Sequence, residues 1–215
     1  MPTCTQIIAS FELQTGDVTE LSTSEELSVL NRVYQKICAK RPWEFLKTAA
    51  TGSVLTDSVG SYIAVPGDFA FFAINASNTN INYGIENEAS PRVIFVGSGN
   101  SWTPYQIINY SDRRSYRNQS GYAYLDMVNN KIYFTTPPVS GTYEFDYIKV
   151  PATLVAGDTP VLPSRFHDLI VYGMTLENDV LQLSKNATAY SLKNQIFYDE
   201  FMNDMVYYNA QLQLN

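Results

Sequence analysis

The chain has 215 residues, 45% of them apolar, which is enough for a sizeable core and excludes wholesale disorder. Charged residues make up only 16% and the formal net charge is −7, the opposite of the balance expected for a protein that grips a nucleic-acid backbone. We expect neither a signal peptide nor a membrane span, because no apolar run is long enough and the N-terminus lacks a basic start. The 16 tyrosines favour a surface suited to protein–protein contacts.

The first predicted element is an amphipathic helix near the N-terminus. Ser22 and Glu25 have the spacing of a capping box. The apolar positions that follow recur at three- and four-residue steps and would form one buried stripe: Leu27, Leu30, Val33, Tyr34 and Ile37. On the polar side Arg32, Lys36 and Lys40 are each four residues apart and line up along one face.

Proline ends this helix and a bulky segment follows it. Pro42 cannot continue the helix but fits the first turn of another. Trp43, Phe45 and Leu46 follow at once and predict an apolar plug.

Residues from about 50 to 150 are predicted to form strands. Six segments are rich in β-branched and aromatic residues: 62–65, 69–74, 93–96, 122–125, 131–136 and 143–150. A hairpin is predicted over 126–134, because Asn129 and Asn130 tolerate the positive φ of a tight turn. We expect the sheet to be antiparallel. Gly97-Ser98-Gly99 is interpreted as a turn between strands, since no third glycine or G-K-[ST] follows as in a phosphate-binding loop.

The last region is predicted to be helical again. Ser164 is a plausible N-cap, and one apolar stripe runs from Leu169 to Leu183. A second stripe runs from Tyr190 to Leu212. The predicted fold class is therefore α+β, with an N-terminal helix, a central antiparallel β-sheet region and a long C-terminal helical hairpin.

Residues able to perform catalysis or bind metal are scarce. The one histidine, His167, has Asp168 beside it, but adjacent helical residues point about 100° apart and cannot easily form a dyad. Cys4 and Cys38 match no metal or redox spacing and are interpreted as reduced thiols. The carboxylate pairs Glu86/Glu88 and Asp199/Glu200 have the features of solvated faces. We expect no catalytic residues, no cofactor and no metal.

Two basic clusters leave alternatives open. The stripe of Arg32, Lys36 and Lys40 is either a solvated helix face or a contact with an acidic surface of a neighbouring subunit or with nucleic acid. Arg113, Arg114 and Arg117, interleaved with Tyr110 and Tyr116, form a local positive loop. Arginines beside aromatic rings are typical of nucleic-acid binding when repeated along a groove, but one loop is weak evidence for it.

Three stretches resemble the head-to-tail adaptor (connector, or tail-tube gatekeeper) proteins of tailed bacteriophages. The first is the helix that runs into Arg41-Pro42-Trp43-Glu44-Phe45-Leu46. The second is the strand and turn of residues 62–69. The third is the junction of residues 147–154 and 158–163, which leads to Phe166-His167-Asp168-Leu169-Ile170-Val171-Tyr172-Gly173 at the start of a long helix.

The resemblance implies a single adaptor domain over residues 1–215, with N-terminal helices at 1–47, a β region at 48–152 and C-terminal helices at 163–215. It implies a structural virion protein, not an enzyme, that forms a homo-oligomeric ring, typically dodecameric, between the portal protein and the tail tube, nozzle or another neck protein. DNA would pass through the lumen without sequence-specific binding. The protein would be made in the host cytoplasm and reside in the virion neck.

The resemblance also implies a docking arm near the C-terminus. By position, this arm comprises Tyr207, Tyr208, Leu212 and Leu214, which would contact the portal. The stripe of Arg32, Lys36 and Lys40 is the candidate contact between subunits. The alternatives are another virion component (a tail-completion or minor capsid protein), a carbohydrate- or receptor-binding module that uses Trp102 and exposed tyrosines, and a hydrolase.

Overall fold

The structure, a computed structural model, describes residues 1–15, 21–73, 93–138, 141–182 and 187–213. For residues 178–182, 187–191 and 213 it describes the backbone alone. The described residues form four α-helices and nine strands, so the predicted mixture of helices and a sheet is confirmed. The chain divides into two compact units: a helical unit of Met1–Leu46 with Val150–Asn215, and a β unit of Lys47–Lys149. That they form a single adaptor domain stays a prediction.

The helical unit begins with a helix that the periodicity argument missed, α1 (Cys4–Thr15). The Thr3 amide donates to Gln6 Oε1 at 2.9 Å and the Gln6 amide donates to Thr3 Oγ1 at 3.4 Å, the two hydrogen bonds of a capping box. Ile7, Ile8 and Phe11 are buried and form its apolar face. The motif Thr3-Cys4-Thr5-Gln6 was therefore a readable start signal for this helix.

The next helix, α2 (Thr23–Ala39), confirms the predicted cap and stripe. The Ser22 amide donates to Glu25 Oε2 at 2.8 Å, and the Ser22 hydroxyl donates to the same oxygen at 2.6 Å. The predicted plug is confirmed as well: Trp43 is fully buried, and its indole N–H donates to the Ile37 carbonyl at 2.9 Å. A short 3₁₀ turn, Glu44–Leu46, follows it.

Two long helices complete this unit, α3 (Asp168–Gln182) and α4 (Ala187–Gln213). Ser164 does not cap α3 directly, because Ser164–Phe166 forms a 3₁₀ turn first and the α-helix begins at Asp168. The ring of Tyr172 lies 5.5 Å from that of Phe197, so α3 packs on α4. Their connection as a helical hairpin stays a prediction, since residues 183–186 lie outside the described residues.

The β unit contains nine described strands in one curled sheet. They are β1 (Lys47–Ser53), β2 (Leu55–Thr56), β3 (Ser61–Ala64), β4 (Phe69–Phe72), β5 (Val93–Ser98), β6 (Ser101–Ile108), β7 (Tyr122–Asp126), β8 (Lys131–Phe134) and β9 (Thr142–Lys149). The order is β1-β9-β5-β6-β7-β8-β3-β2, and β4 also pairs with β9. Each of the six predicted strands is present over the part of it that the structure describes. Strands β1, β2 and β6 were not predicted.

The sheet is mixed, so the expectation of a purely antiparallel sheet is corrected at one place. β6 and β7 are parallel, with Gln106 opposite Tyr122 and Ile108 opposite Tyr124. The 13 residues between the two strands lead the chain from Ile108 back to Tyr122, which pairs near the end of β6, and their number suits a parallel crossover. This connection contains a 3₁₀ turn, Tyr110–Arg114, which lies where the chain leaves β6.

Both predicted turns of the sheet are confirmed. Asn130 has φ of +50° in the β7–β8 hairpin, and Gly99 has φ of +59° between β5 and β6. Asp126 stabilises the first hairpin by accepting hydrogen bonds from the amides of Val128 and Asn129. The curled sheet encloses one core of aliphatic and aromatic side chains that includes Ala50, Ile63, Phe72, Ile94, Val96, Tyr105, Ala123, Ile132, Phe134, Phe145 and Tyr147.

Candidate assembly surfaces

The predicted charge stripe on α2 is bound within the helical unit itself. Arg32 Nε lies 2.9 Å from Glu177 Oε2 on α3, and Lys36 binds the other oxygen of the same carboxylate. Lys40 lies over the ring of Tyr198 on α4, 5.1 Å from its centroid. The alignment along one helix face is as predicted, and each cation has a partner on a neighbouring helix. Its role between subunits stays a prediction.

The predicted docking arm divides into exposed and packed residues. Tyr207 is 72% exposed and Leu212 39% exposed. Tyr208 instead packs on Phe166, with ring centroids 5.7 Å apart, and the Arg165 guanidinium lies 3.8 Å from its ring centroid. The exposed candidates are therefore Tyr207 and Leu212, and Leu214 lies outside the described residues.

Helix α4 is anchored to the rest of the helical unit at Asn209, one residue after Tyr208. Asn209 is buried, and its Oδ1 accepts a hydrogen bond of 2.7 Å from the Glu44 amide in the 3₁₀ turn after α2. Met205, one turn earlier, is fully buried. The structure thus presents Tyr207 on a helix whose buried side packs within the helical unit.

The exposed side of α4 carries an acidic patch, of which the sequence indicated the pair Asp199/Glu200 as a solvated face but not Asp204. Asp199, Glu200 and Asp204 are all exposed. Apolar side chains flank the patch, with Ile196 51% exposed before it and Tyr207 after it. The sequence of α4 did not reveal the whole of this surface, because the helix is weakly amphipathic and has apolar residues on both its buried and its exposed sides. We call Asp199, Glu200 and Asp204 the acidic patch.

The positive loop noted in the sequence lies on the β6–β7 connection of the β unit. Arg113 lies 3.8 Å over the ring of Tyr110 and donates to the Tyr110 carbonyl at 2.7 Å. Arg114 and Arg117 are exposed, and their side chains have no hydrogen-bond or ion-pair partner within the described parts of the chain. We call Tyr110, Arg113, Arg114 and Arg117 the basic tip.

A row of stacked tyrosines supports the basic tip on the outer face of the sheet. Tyr110 meets Tyr124 edge to face at 5.8 Å, and Tyr124 stacks on Tyr133 at 5.8 Å. The ammonium group of Lys131 lies 2.6 Å from Asp57 Oδ2. This cation holds the pKa of the Asp57 carboxyl well below its usual range. The row is thus fixed by ring packing and an ion pair, which leaves the tip pre-organised.

His167 has the structural role that the sequence indicated. It is buried, and its Nε2 lies 2.8 Å from the Leu162 carbonyl, which makes Nε2 the donor. Nδ1 has no hydrogen-bond partner among the residues that the structure describes. Burial lowers the pKa of this imidazole, so the neutral form is favoured. Asp168 does not bind the ring, and the geometry lacks the base–carboxylate pairing of a hydrolase.

The remaining candidate groups offer little chemistry. Cys4 and Cys38 are buried free thiols, and burial raises the pKa of Cys38 to about 12. Among the described residues no group of His, Cys, Asp and Glu side chains could hold a metal ion. Trp102 is 39% exposed, but its indole N–H already donates to the Gly99 carbonyl at 3.0 Å. Glu86 and Glu88 lie outside the described residues.

One open pocket lies in the β unit, with a volume of about 250 Å³. Its lining is mostly apolar and includes Phe69, Phe71, Ile107, Leu125 and Met127. This lining includes no charged side chain, and Asn109 and Tyr110 add polar groups to the apolar ones. Within the described parts of the chain, no helix is long and apolar enough to cross a membrane.

Exposed aromatic, leucine and arginine side chains on rigid elements are typical of proteins that act by assembling with other proteins. Comparison with known families agrees with this class: the model described as SU10 adaptor protein matches residues 2–213. The chain therefore belongs to the SU10 adaptor protein family, a family of phage head-to-tail adaptors. No curated protein matches the chain. Membership indicates a structural role in the virion and a non-enzymatic function.

Proposed function

We propose that this protein is the subunit of a closed, dodecameric ring that joins the portal protein to the tail tube, nozzle or another neck protein and forms part of the DNA channel. The observation that carries the proposal is the family match over residues 2–213, nearly the whole chain. A match of this extent covers residues of both units.

The charge of the chain supports a place beside DNA without binding to it. The helical unit carries 7 basic and 13 acidic residues, and the β unit carries 7 and 8. A channel lined by an acidic surface repels the phosphate backbone, so DNA passes without adhering.

The exposed residues of α4 supply the proposed contact with the portal. Tyr207 and Leu212 are large apolar side chains in water on an anchored helix. Burying them in a pocket of the portal would remove their apolar area from water, and such anchors dominate interface energies.

The double substitution Tyr207→Ala/Leu212→Ala tests this contact. We expect the affinity for the cognate portal protein to fall by at least about tenfold, since truncating an interface anchor costs about 2 kcal/mol or more. Analytical ultracentrifugation of mixtures with the portal measures the change. The thermal unfolding midpoint should remain close to that of the unchanged protein, because both side chains are exposed.

Two further variants serve as controls. Leu55→Ala removes a leucine that is 46% exposed in the β unit, and it should leave portal binding unchanged. Tyr208→Ala should lower the unfolding midpoint, since Tyr208 packs on Phe166 within the helical unit. Equal portal affinity for the unchanged protein and the double variant would refute α4 as the docking arm.

A further inference from the structure

We propose that the basic tip of one copy binds the acidic patch of the next copy in the ring. The inference rests on the proposed function, because it needs copies that pack side by side. The basic tip differs from the α2 stripe in one respect: Arg32 and Lys36 bind Glu177, whereas Arg114 and Arg117 have no side-chain partner among the described residues.

Charge complementarity determines the occupant. The helical unit has an excess of six acidic residues, while the β unit is nearly balanced. Within α4 the carboxylates of Asp199, Glu200 and Asp204 are exposed, and no arginine or lysine pairs with them in the described residues. A cationic loop and an anionic helix complement each other in charge, so a second copy of the chain offers each surface a partner. The tyrosine row fixes the tip in place.

The composition of the two surfaces fits a specific contact as well as an electrostatic one. The tip offers Tyr110, which is 46% exposed, beside its arginines. The acidic patch is flanked by Ile196, which is 51% exposed. Tyrosine and arginine are the residues most enriched where binding energy concentrates, and arginine can grip a carboxylate with two parallel hydrogen bonds.

The contact is heterologous, because two different surfaces meet. Each copy would offer one basic tip and one acidic patch, so every copy binds one neighbour on each side. Heterologous contacts of this kind produce closed rings when the rotation between copies closes. A single type of contact is therefore sufficient to build the proposed ring.

A charge swap tests the pairing. Arg114→Glu/Arg117→Glu should weaken assembly of copies on the cognate portal by at least about tenfold, because like charges then face each other. Adding Asp199→Arg and Asp204→Arg to the same chain restores opposite charges and should restore closed rings. Electron microscopy of portal mixtures and sedimentation of the adaptor alone at high concentration both report the outcome.

A matched control and a cross-link sharpen the test. Arg41→Glu/Lys149→Glu changes the net charge equally at residues that do not belong to the basic tip, and it should leave assembly unchanged. A chain with Arg117→Cys and Asp204→Cys should yield a ladder of cross-linked copies with a short bis-maleimide, because Cys4 and Cys38 are buried and do not compete. Each single cysteine variant should give at most dimers.

The outcomes separate this contact from the proposed function. If the unchanged protein makes no ring on the portal, the proposed function fails. If it makes rings, and Arg114→Glu/Arg117→Glu does so equally well, the tip–patch contact is overturned. Loss of assembly that the charge swap does not restore also overturns it. Normal rings with reduced affinity for duplex DNA would assign the basic tip to DNA instead.

Discussion

Single residues in the helical unit form interactions that span long stretches of sequence. Arg32 and Lys36 share the carboxylate of Glu177, which lies about 140 residues further along the chain. The periodicity of α2 predicted that these cations share a face, because that depends only on helical geometry. Their partner could not be predicted, since nothing local to either segment specifies that α3 packs there.

His167 provides a prediction at the scale of a single residue. Burial lowers the pKa of its imidazole, so the unfolded chain binds a proton at a pH where the folded chain does not. This group therefore leaves stability unaffected well above its unfolded pKa of about 6.5 and reduces it as the pH falls below that value. Urea unfolding followed by far-UV circular dichroism at a series of pH values measures the slope.

The variant His167→Gln isolates that contribution. Glutamine can still donate to the Leu162 carbonyl, but it does not titrate, so the slope just below pH 6.5 should become flatter. Carboxyl groups titrate at lower pH and remain in both proteins, which makes them an internal reference. An identical slope in the two proteins would show that His167 is solvated in the folded chain.

At the scale of helices and strands, the close approach of α2 and α3 depends on Gly173. A Cβ added there would lie 2.4 Å from Val33 Cγ1 and 3.3 Å from Tyr198 Cε2. Gly173→Ala gains up to about 1 kcal/mol of helix propensity but overpacks the contact by about 1–3 kcal/mol. We expect a net loss of stability, measured as a lower urea midpoint.

Two further variants test whether the close approach of the helices causes this loss of stability. Val33→Ala in the same chain removes the obstructing methyl group and should make Gly173→Ala less costly than it is alone. Gly67→Ala, where no atom lies within 4 Å of the added Cβ, should change stability by no more than about 0.5 kcal/mol. Additive effects of Gly173→Ala and Val33→Ala would contradict the close approach.

Local signals determined which elements could be predicted. The capping box of α2 and the asparagine turn of the β7–β8 hairpin are each formed by residues only a few positions apart, so the sequence was sufficient to predict both. Strand β6 was not predicted, because Pro104 interrupts its pattern. The proline is tolerated because this part of β6 pairs with β5 alone. The parallel pairing of β6 with β7 depends on packing across the sheet and has no local signature.

For the whole molecule, a weak resemblance in sequence was enough to identify the family, because it followed the order of elements along nearly the full chain. The residues that would carry assembly were harder to find. Tyr207 and Leu212 were predicted and are exposed, whereas Tyr208 was predicted and is packed. Exposure on α4 depends on which side faces α3, and the mixed apolar pattern of the helix does not reveal that.

The most direct test of the proposed function is cryo-electron microscopy of the unchanged protein mixed with its cognate portal. We expect a closed ring of adaptor copies stacked coaxially on the portal, with α4 at the portal contact and a continuous central channel. Folded portal and folded adaptor that remain separate at high concentration, or adaptor copies bound singly to the outside of the portal, would contradict the account.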